Sequence, residues 1–406
     1  MRPLGYLVAA RVARSVSTST FGVIFPLVVA SLHLGGMSSG LILSAASAGA
    51  AVQLLLAGFL GDRVGRRPVL AGMAWLTGFA AASVALVHSF LPLALIAFVG
   101  ALGRGGDVGS GGASGPFAPL EQPLVAEVAG SARQTEALGR LSFFGAIAGA
   151  AGSLTAGLPS ALGIIGVTLG QGITITIMIA AAAQILAGIF VLPGREHARD
   201  RKAKPERLSP HARGIVGKLS LTNALNGLGT GFLGPFFTYW LVVRFHVTSW
   251  ELAALYTIAN IVTALLFLAS APLARRLGRV DAVVWTRLIA AVFTALVALS
   301  PTFLLASALN LVRMAFQKVG DPARQSLLLD FVDQGERSRV SSATNLPFQV
   351  TNAVGPSIGG YLLGTLQFAG PPVLLAAILQ TGNALLFNHF FGRGAGMPHG
   401  GRDVRV

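Results

Sequence analysis

Three acidic residues, Asp107, Glu121 and Asp321, lie in stretches of chain that are otherwise mostly apolar. A carboxylate in such surroundings is costly to keep charged, which makes each one a candidate for taking up and releasing a proton. Arg104 stands three residues before Asp107, and Lys318 three residues before Asp321, so structural ion pairing within one helix is the alternative. We rank Asp107 first as a proton carrier, ahead of Asp321 and Glu121.

Polar side chains also recur at helical spacing in several apolar stretches, where residues three or four apart share one helix face. Polar stripes of this kind face a bundle interior or water rather than lipid. The residues predicted to line this interior are Arg11, Arg14, Thr18, Arg104, Asn223, Asn226, Thr230, Asn310, Arg313, Gln317, Asn345 and Gln349. For Arg11 and Arg14, the alternative is that both side chains extend to the nearby membrane surface.

The composition is that of a membrane protein. Of 406 residues, 53% are hydrophobic and only 11% are charged, against about 25% charged in a soluble protein. The chain has no cysteine, which excludes disulfides and thiolate metal sites, and no metal or cofactor is expected. The formal charge of +15 would suggest nucleic acid in a soluble protein. Here the basic residues cluster between apolar runs, so we expect lipid contact and no nucleic-acid partner.

Apolar runs of about 20 residues predict membrane-spanning helices along the whole chain. Twelve spans are predicted, near residues 4–32, 38–61, 68–88, 90–128, 139–160, 171–192, 218–243, 249–274, 281–300, 302–332, 341–366 and 371–392. The first is too long for a cleavable signal peptide. Alternate connections are rich in Lys and Arg, with Arg244 as the exception, so the positive-inside rule places both termini in the cytoplasm of a multi-pass protein of the plasma or inner membrane.

The two halves of the chain resemble each other, which predicts a duplicated six-helix bundle. PLEQPLVAEV (119–128) matches PARQSLLLDF (322–331), and Gly152 and Gly157 match Gly355 and Gly360. The polar positions of the first span recur in the seventh, where Asn226 corresponds to Arg14. We predict an N-terminal bundle at 1–193, a basic cytoplasmic linker at 194–217, a C-terminal bundle at 218–392 and a cytoplasmic tail at 393–406. Duplicated bundles are typical of transporters.

The segment GFLGDRVGRR (58–67) resembles the loop 2–3 signature of the major facilitator superfamily. The resemblance covers nearly the whole chain through its twelve spans, its duplication and its basic central loop. It implies an all-α membrane fold of two pseudo-symmetric six-helix bundles. It also implies that helices 1, 4, 7 and 10 surround a central cavity for the solute, and that Arg104 of helix 4 lies near the coupling or substrate groups. It further implies a conformational latch that forms only when the cytoplasmic face is shut. The residues of this latch would be Gly58, Gly61, Asp62, Arg63, Gly65, Arg66, Arg67 and Glu127.

Within that latch, the resemblance implies that Asp62 accepts hydrogen bonds from the start of helix 11, near Val340 and Ser341. Arg66 or Arg67 would pair with Glu127 at the end of helix 4. The second half departs from the signature, because Arg275 stands where the counterpart of Asp62 would be.

Two glycine-rich segments allow alternative interpretations. GPSIGG (355–360) resembles the family's antiporter signature, but it lies in helix 11 instead of helix 5, so we assign Gly355, Pro356, Gly359 and Gly360 to helix packing. GRGGDVGSGGASGP (103–116) interrupts helix 4. It is either a flexible hinge or a break that presents backbone groups to a solute.

These features predict a secondary active transporter that moves a small organic solute by alternating access, coupled to protons and acting in efflux. The alternative is an anion-uptake symporter or uniporter, because guanidinium groups suit carboxylates and phosphates. A non-transporting membrane sensor is a further alternative. We expect no enzyme activity, since no paired acids stand at catalytic spacing. The sequence leaves the oligomeric state open, and a monomer is compatible with it.

Overall fold

The computed structural model describes residues 3–102, 117–129, 134–193, 209–266, 279–330, 337–366 and 370–392. These ranges contain fifteen α-helices and one short 3₁₀ helix, Val84–Leu86. The α-helices are α1 Pro3–Ser31, α2 Gly36–Arg63, α3 Arg66–Ser83, α4 Phe90–Gly100, α5 Ala118–Ala129, α6 Gln134–Thr155, α7 Leu158–Gly163, α8 Leu169–Val191, α9 Pro210–Gly231, α10 Pro235–Phe245, α11 Ser249–Leu266, α12 Arg279–Leu299, α13 Phe303–Asp330, α14 Arg337–Thr365 and α15 Pro371–Phe391.

Seven of the described helices are long and apolar enough to cross a membrane, and α4 and α11 are shorter apolar helices. Some predicted spans are broken. The seventh is divided into α9 and α10 around Gly234, where Pro235 suits the first turn of a new helix because it needs no amide partner. The fourth ends early at Gly100, and the glycine-rich stretch 103–116 lies outside the described residues. Helix α9 begins at Pro210, within the stretch predicted as linker.

Successive long helices run in opposite directions, so the bundle has two faces. We call the face that carries the turn at 63–66 the motif face. It also holds the end of α8 and the start of α9. The opposite face holds the connections at 32–35, 156–168, 246–248 and 300–302.

The apolar core is continuous across both halves of the chain toward the opposite face. One cluster joins Phe25 of α1 and Ile42 of α2 to Phe236 and Trp240 of α10. Toward the motif face, the described core residues form two separate clusters. One cluster contains first-half residues such as Leu7 and Val125, and another contains second-half residues such as Ile215 and Phe391. Among the residues that the structure describes, the halves therefore share an apolar core on the opposite face.

Two helix crossings at the opposite face repeat each other. At one crossing, α14 of the second half meets α2 of the first, and a methyl group added at Gly40 would lie 3.0 Å from the Cα of Gly360. At the other, the segment just after α6 of the first half meets the start of α11 of the second, and a methyl group added at Gly157 would lie 2.8 Å from the Trp250 ring. Gly157 and Gly360 are the positions matched in the sequence repeat, so the duplication is also present in the packing.

Candidate functional site

The segment 58–67 forms the end of α2, a tight turn and the start of α3. Gly65 has φ 112°, a conformation that side chains disfavour, so this position requires glycine. A side chain at Gly61 would meet Leu120, whereas Gly58 faces open space. The Arg63 guanidinium lies 3.9 Å from the centre of the Phe59 ring.

The predicted contact between this turn and helix 4 is present. Arg66 Nη1 lies 3.5 Å from Glu127 Oε2 at the end of α5. Asp62 belongs to the last turn of α2, but its side chain, and so its expected contact with the start of α14, lies outside the described residues. Of the residues predicted to form the latch, the structure thus brings Arg66 and Glu127 together.

Arg67 has a role that the sequence did not indicate. Its side chain is buried, and Nη1 donates hydrogen bonds to the backbone carbonyls of Val191 and Pro193. These carbonyls lie at the C-terminal end of α8, where a helix leaves acceptors unsatisfied and favours positive charge. Arg67 therefore fixes α3 to the end of α8, just before residue 194.

Glu121 is buried between two arginines of α1. Arg11 Nη1 and Arg14 Nη2 each lie 2.5 Å from a different oxygen of the carboxylate, and all three residues are at most 3% exposed. The Arg14 guanidinium also lies 4.8 Å from the centre of the Phe117 ring. The alternative in which Arg11 and Arg14 extend to the membrane surface is wrong, because an acid on α5 holds both inside the bundle.

In the second half, the predicted stripe on α13 forms a connected group. Arg313 donates from Nε to Asn310 Oδ1 and from Nη1 to Gln317 Oε1, both at 2.9 Å. Arg287 of α12 donates from Nη1 to Asn226 Oδ1 at 3.0 Å. Arg287 and Arg313 are both buried, on the neighbouring helices α12 and α13. We call Arg287, Arg313, Asn226, Asn310 and Gln317 the two-arginine cluster.

Arg287 was not among the residues predicted from the sequence. The available signal was a single arginine in the apolar segment DAVVWTRLIAAVF (281–293), to which the rule for charges inside a span applies.

Other residues predicted to line the cavity make hydrogen bonds to backbone carbonyls or lie toward the surface. Asn223 donates to the Thr344 carbonyl at 2.7 Å and so joins α9 to α14. Thr18 and Thr230 donate to backbone carbonyls one turn earlier in their own helices. Asn345 is exposed and Gln349 is half-buried on α14.

Three further acid or base predictions lie beyond what the structure describes. Arg104 and Asp107 fall in 103–116, and the Asp321 side chain is not described although its backbone belongs to α13.

The glycines assigned to helix packing lie at close approaches. A methyl group added at Gly355 would lie 2.7 Å from the Gly231 Cα, and one at Gly359 would lie 2.7 Å from the Phe236 ring. Gly360 approaches Gly36 and Gly40 of α2, and the Pro356 carbonyl faces Gly40.

Hydrogen bonds between the halves concentrate on the same side as the shared core. Ser44 Oγ of α2 accepts from the backbone amide of Ser357 at 2.9 Å, and the two hydroxyls lie 2.6 Å apart. Ser160 and Ser249 have hydroxyls 2.8 Å apart. For the part of the chain that the structure describes, these contacts and the separate core clusters correspond to two bundles that touch at the opposite face.

The helical bundle, its internal repeat and the loop 2–3 segment are those of a superfamily of membrane transporters. A family model described as Major Facilitator Superfamily matches residues 7–218 and 219–395, so the chain belongs to this superfamily and is a multi-pass membrane protein of its transporter class.

Solved structures agree on the fold. A D-xylose-proton symporter is 13% identical with a TM-score of 0.70, covering 95% of this chain and 96% of that one. A bacterial homolog of the human lysosomal transporter Spinster, inward-facing and occupied, is 15% identical with a TM-score of 0.66, covering 95% and 93%. The human organic anion transporter MFSD10 (TETRAN) is 17% identical with a TM-score of 0.62, covering 95% and 100%. No curated protein sequence matches the chain.

Proposed function

We propose that this chain is a proton-coupled secondary transporter that exports a small organic solute across the plasma or inner membrane by alternating access. The one-sided closure of the two bundles carries the proposal. A shared core and the Ser44–Ser357 contact join the halves at the opposite face, while the cores separate at the motif face. With the positive-inside orientation, the motif face is cytoplasmic, and this arrangement corresponds to an inward-open state.

Glu121 is our candidate for the proton carrier among the described acids. The two ion pairs to α1 favour the charged carboxylate, so Glu121 would take up a proton only as they break, and Arg11 and Arg14 would then lose this counter-charge in a buried place. Binding a proton would therefore alter the contact between α1 and α5. A change of this kind can shift the balance between two states of the bundle, because it affects them unequally.

The segment 58–67 would then act as the latch on the other state. Arg66 and Glu127 already pair within the first half. Closure of the motif face would bring Asp62 to the start of α14, where free backbone amides favour a carboxylate. Export is our preferred direction because the motif set most resembles drug and metabolite exporters.

Anion uptake is the second candidate, and the two-arginine cluster favours it. Two buried guanidinium groups with amide partners suit a carboxylate or a phosphate ester. Solute charge does not itself decide direction, so the two candidates differ chiefly in how flux responds to the sign of the proton gradient.

The test uses purified protein in liposomes that contain a pH-sensitive dye. Under an imposed proton gradient, a transported solute should dissipate the gradient. Whether this happens with the solute on the same side as the excess protons or on the other side distinguishes uptake by symport from export by exchange. The matched variant is Glu121→Gln combined with Arg14→Gln, which keeps the net charge of the group but removes the carboxylate. We expect this variant to move solute without proton flux. Proton flux at the wild-type rate would remove Glu121 from the mechanism, and binding without any flux would favour a sensor.

A further inference from the structure

We propose that each half of the chain encloses an internal water molecule, hydrogen-bonded to Gln184 in the first half and to Gln380 in the second. The two sites concern the packing inside each bundle. They do not depend on transport of a solute, so their failure and the failure of the proposed function are separate results.

Gln184 presents a buried amide without a partner in the first half. Helix α8 packs against α1 and α3, and Gln184 is 0% exposed. In the part of the chain that the structure describes, neither Oε1 nor Nε2 makes a hydrogen bond. The helices are tightly packed beside it, because a methyl group added at Gly78 of α3 would lie 2.7 Å from the Ile185 side chain. The amide therefore lies inside the bundle, away from both lipid and bulk water.

Gln380 presents a second such amide in the other half. It is 2% exposed on α15, which packs against α9 and α12. Its Nε2 makes no hydrogen bond to the described residues. Its Oε1 lies 3.5 Å from Thr294 Oγ1, but that hydroxyl has a single proton and donates it to the Ala290 carbonyl at 2.8 Å. The amide therefore lacks a good hydrogen bond at either end.

The two amides lie in corresponding spans of the repeat. Gln184 is in the sixth span, which packs against the first and third, and Gln380 is in the twelfth, which packs against the seventh and ninth. Other features accompany them. On α3, Thr77 has a buried hydroxyl that makes no hydrogen bond to the described residues. On α9, a methyl group added at Gly229 would lie 3.3 Å from Gln380 Cγ, so glycine leaves room beside this side chain.

Water is the ligand that matches these two places. A primary amide has two donor hydrogens and an acceptor oxygen, and burying them without partners is unfavourable. Buried polar groups that lack a protein partner are usually bonded to internal water, which can donate and accept at one position. The polar groups named at both places are neutral, so they supply no charge that would select an ion.

The test is an experimental structure of the full chain at a resolution that shows ordered water. Three proteins are compared: wild type, Gln184→Met and Gln380→Met, in which a side chain of similar size replaces the amide. We expect the wild type to show a density peak about 2.7–3.2 Å from Nε2 or Oε1 of each glutamine. Gln184→Met should lose the first peak and keep the second, and Gln380→Met should do the reverse, so each variant is the control for the other.

A wild-type map that shows other buried waters but no peak at a glutamine would overturn the site in that bundle. An amide bonded to a protein group instead of water would overturn it equally. A peak that persists in the corresponding Met variant would show that other groups hold the water, which would overturn the role of that glutamine. If a variant does not fold, the wild-type map alone decides.

Discussion

At the scale of single residues, the buried arginines of the two halves differ in the partners that the structure describes for them. Glu121 balances Arg11 and Arg14 within the first half, whereas amides hold Arg313 and Arg287 in the second. A buried ion pair is weak evidence for stability, but breaking one from one side leaves an uncompensated charge and costs about 3–5 kcal/mol. Among the acids that the structure describes in the first half, Glu121 is accordingly the one whose removal should cost most.

Glu121→Gln should destabilise the protein by about 3–5 kcal/mol, because two buried guanidinium groups lose their counter-charge. Thermal unfolding in detergent measures the loss. Adding Arg14→Gln should recover much of it, since a single buried cation then remains. The control is Glu251→Gln, at an exposed helix start where Gln can take the same capping role. If Glu121→Gln unfolds at the same temperature as the Glu251→Gln control, the two ion pairs contribute nothing to stability.

Residues that share a helix were easier to predict than residues that meet across helices. Helical spacing placed Asn310, Arg313 and Gln317 on one face, and they form one hydrogen-bonded group. Spacing carries no information on which neighbour lies opposite. For this reason the burial of Arg11 and Arg14 against Glu121, and the contact of Arg287 with Asn226, appeared only in the packed structure.

At the scale of helices, glycine sets how closely the bundles approach. Without side chains at Gly36, Gly40 and Gly360, the backbones of α2 and α14 come into direct contact. Small residues at helix crossings permit this approach in membranes, where dispersion contacts replace the hydrophobic effect as the main attraction.

Gly360→Leu should force α14 away from α2 and open the opposite face. Because the chain has no native cysteine, a Ser44→Cys probe can report this change. Ser44 is buried at the crossing, so a membrane-impermeant maleimide should label it faster in the Gly360→Leu background. Gly72→Leu, at a glycine facing open space, is the control and should leave the rate unchanged. Equal labelling rates in a folded Gly360→Leu protein would contradict the prediction.

The sequence indicated the helices better than their breaks. Apolar runs predicted the long helices, and the repeat pointed to Gly157 and Gly360. The division between α9 and α10 was missed, because the apolar residues continue through it and only Gly234 and Pro235 mark the break. Helix α9 also begins earlier than its first apolar residues suggested, since a helix end can extend beyond the membrane.

At the scale of the whole molecule, the paired crossings connect the two halves as a unit. At the opposite face, α2 contacts α14 and α6 contacts α11, and the two contacts are related by the internal repeat. The proposed alternating access would require both crossings to separate when the motif face closes.

A disulfide across one crossing should therefore stop transport. Ser44 and Ser357 have hydroxyls 2.6 Å apart, a separation compatible with a bridge between cysteines at these positions. In liposomes, oxidised Ser44→Cys/Ser357→Cys should lose flux, and a reducing agent should restore it. Each single variant is the control and should be insensitive to oxidation. Flux that persists after complete cross-linking would show that this crossing does not need to open.

The pairing of Arg14 with Glu121 also matters for how the protein is made. The two residues are 107 positions apart, so α1 leaves the ribosome well before α5. At about 5–20 residues per second, the delay is of the order of 5–20 s. During that time α1 carries two arginines without their acid, at about 2.5–3.5 kcal/mol each in the middle of a membrane. We therefore expect the first helix to reach its final position only after the helix that carries Glu121, encoded much later, has been synthesised.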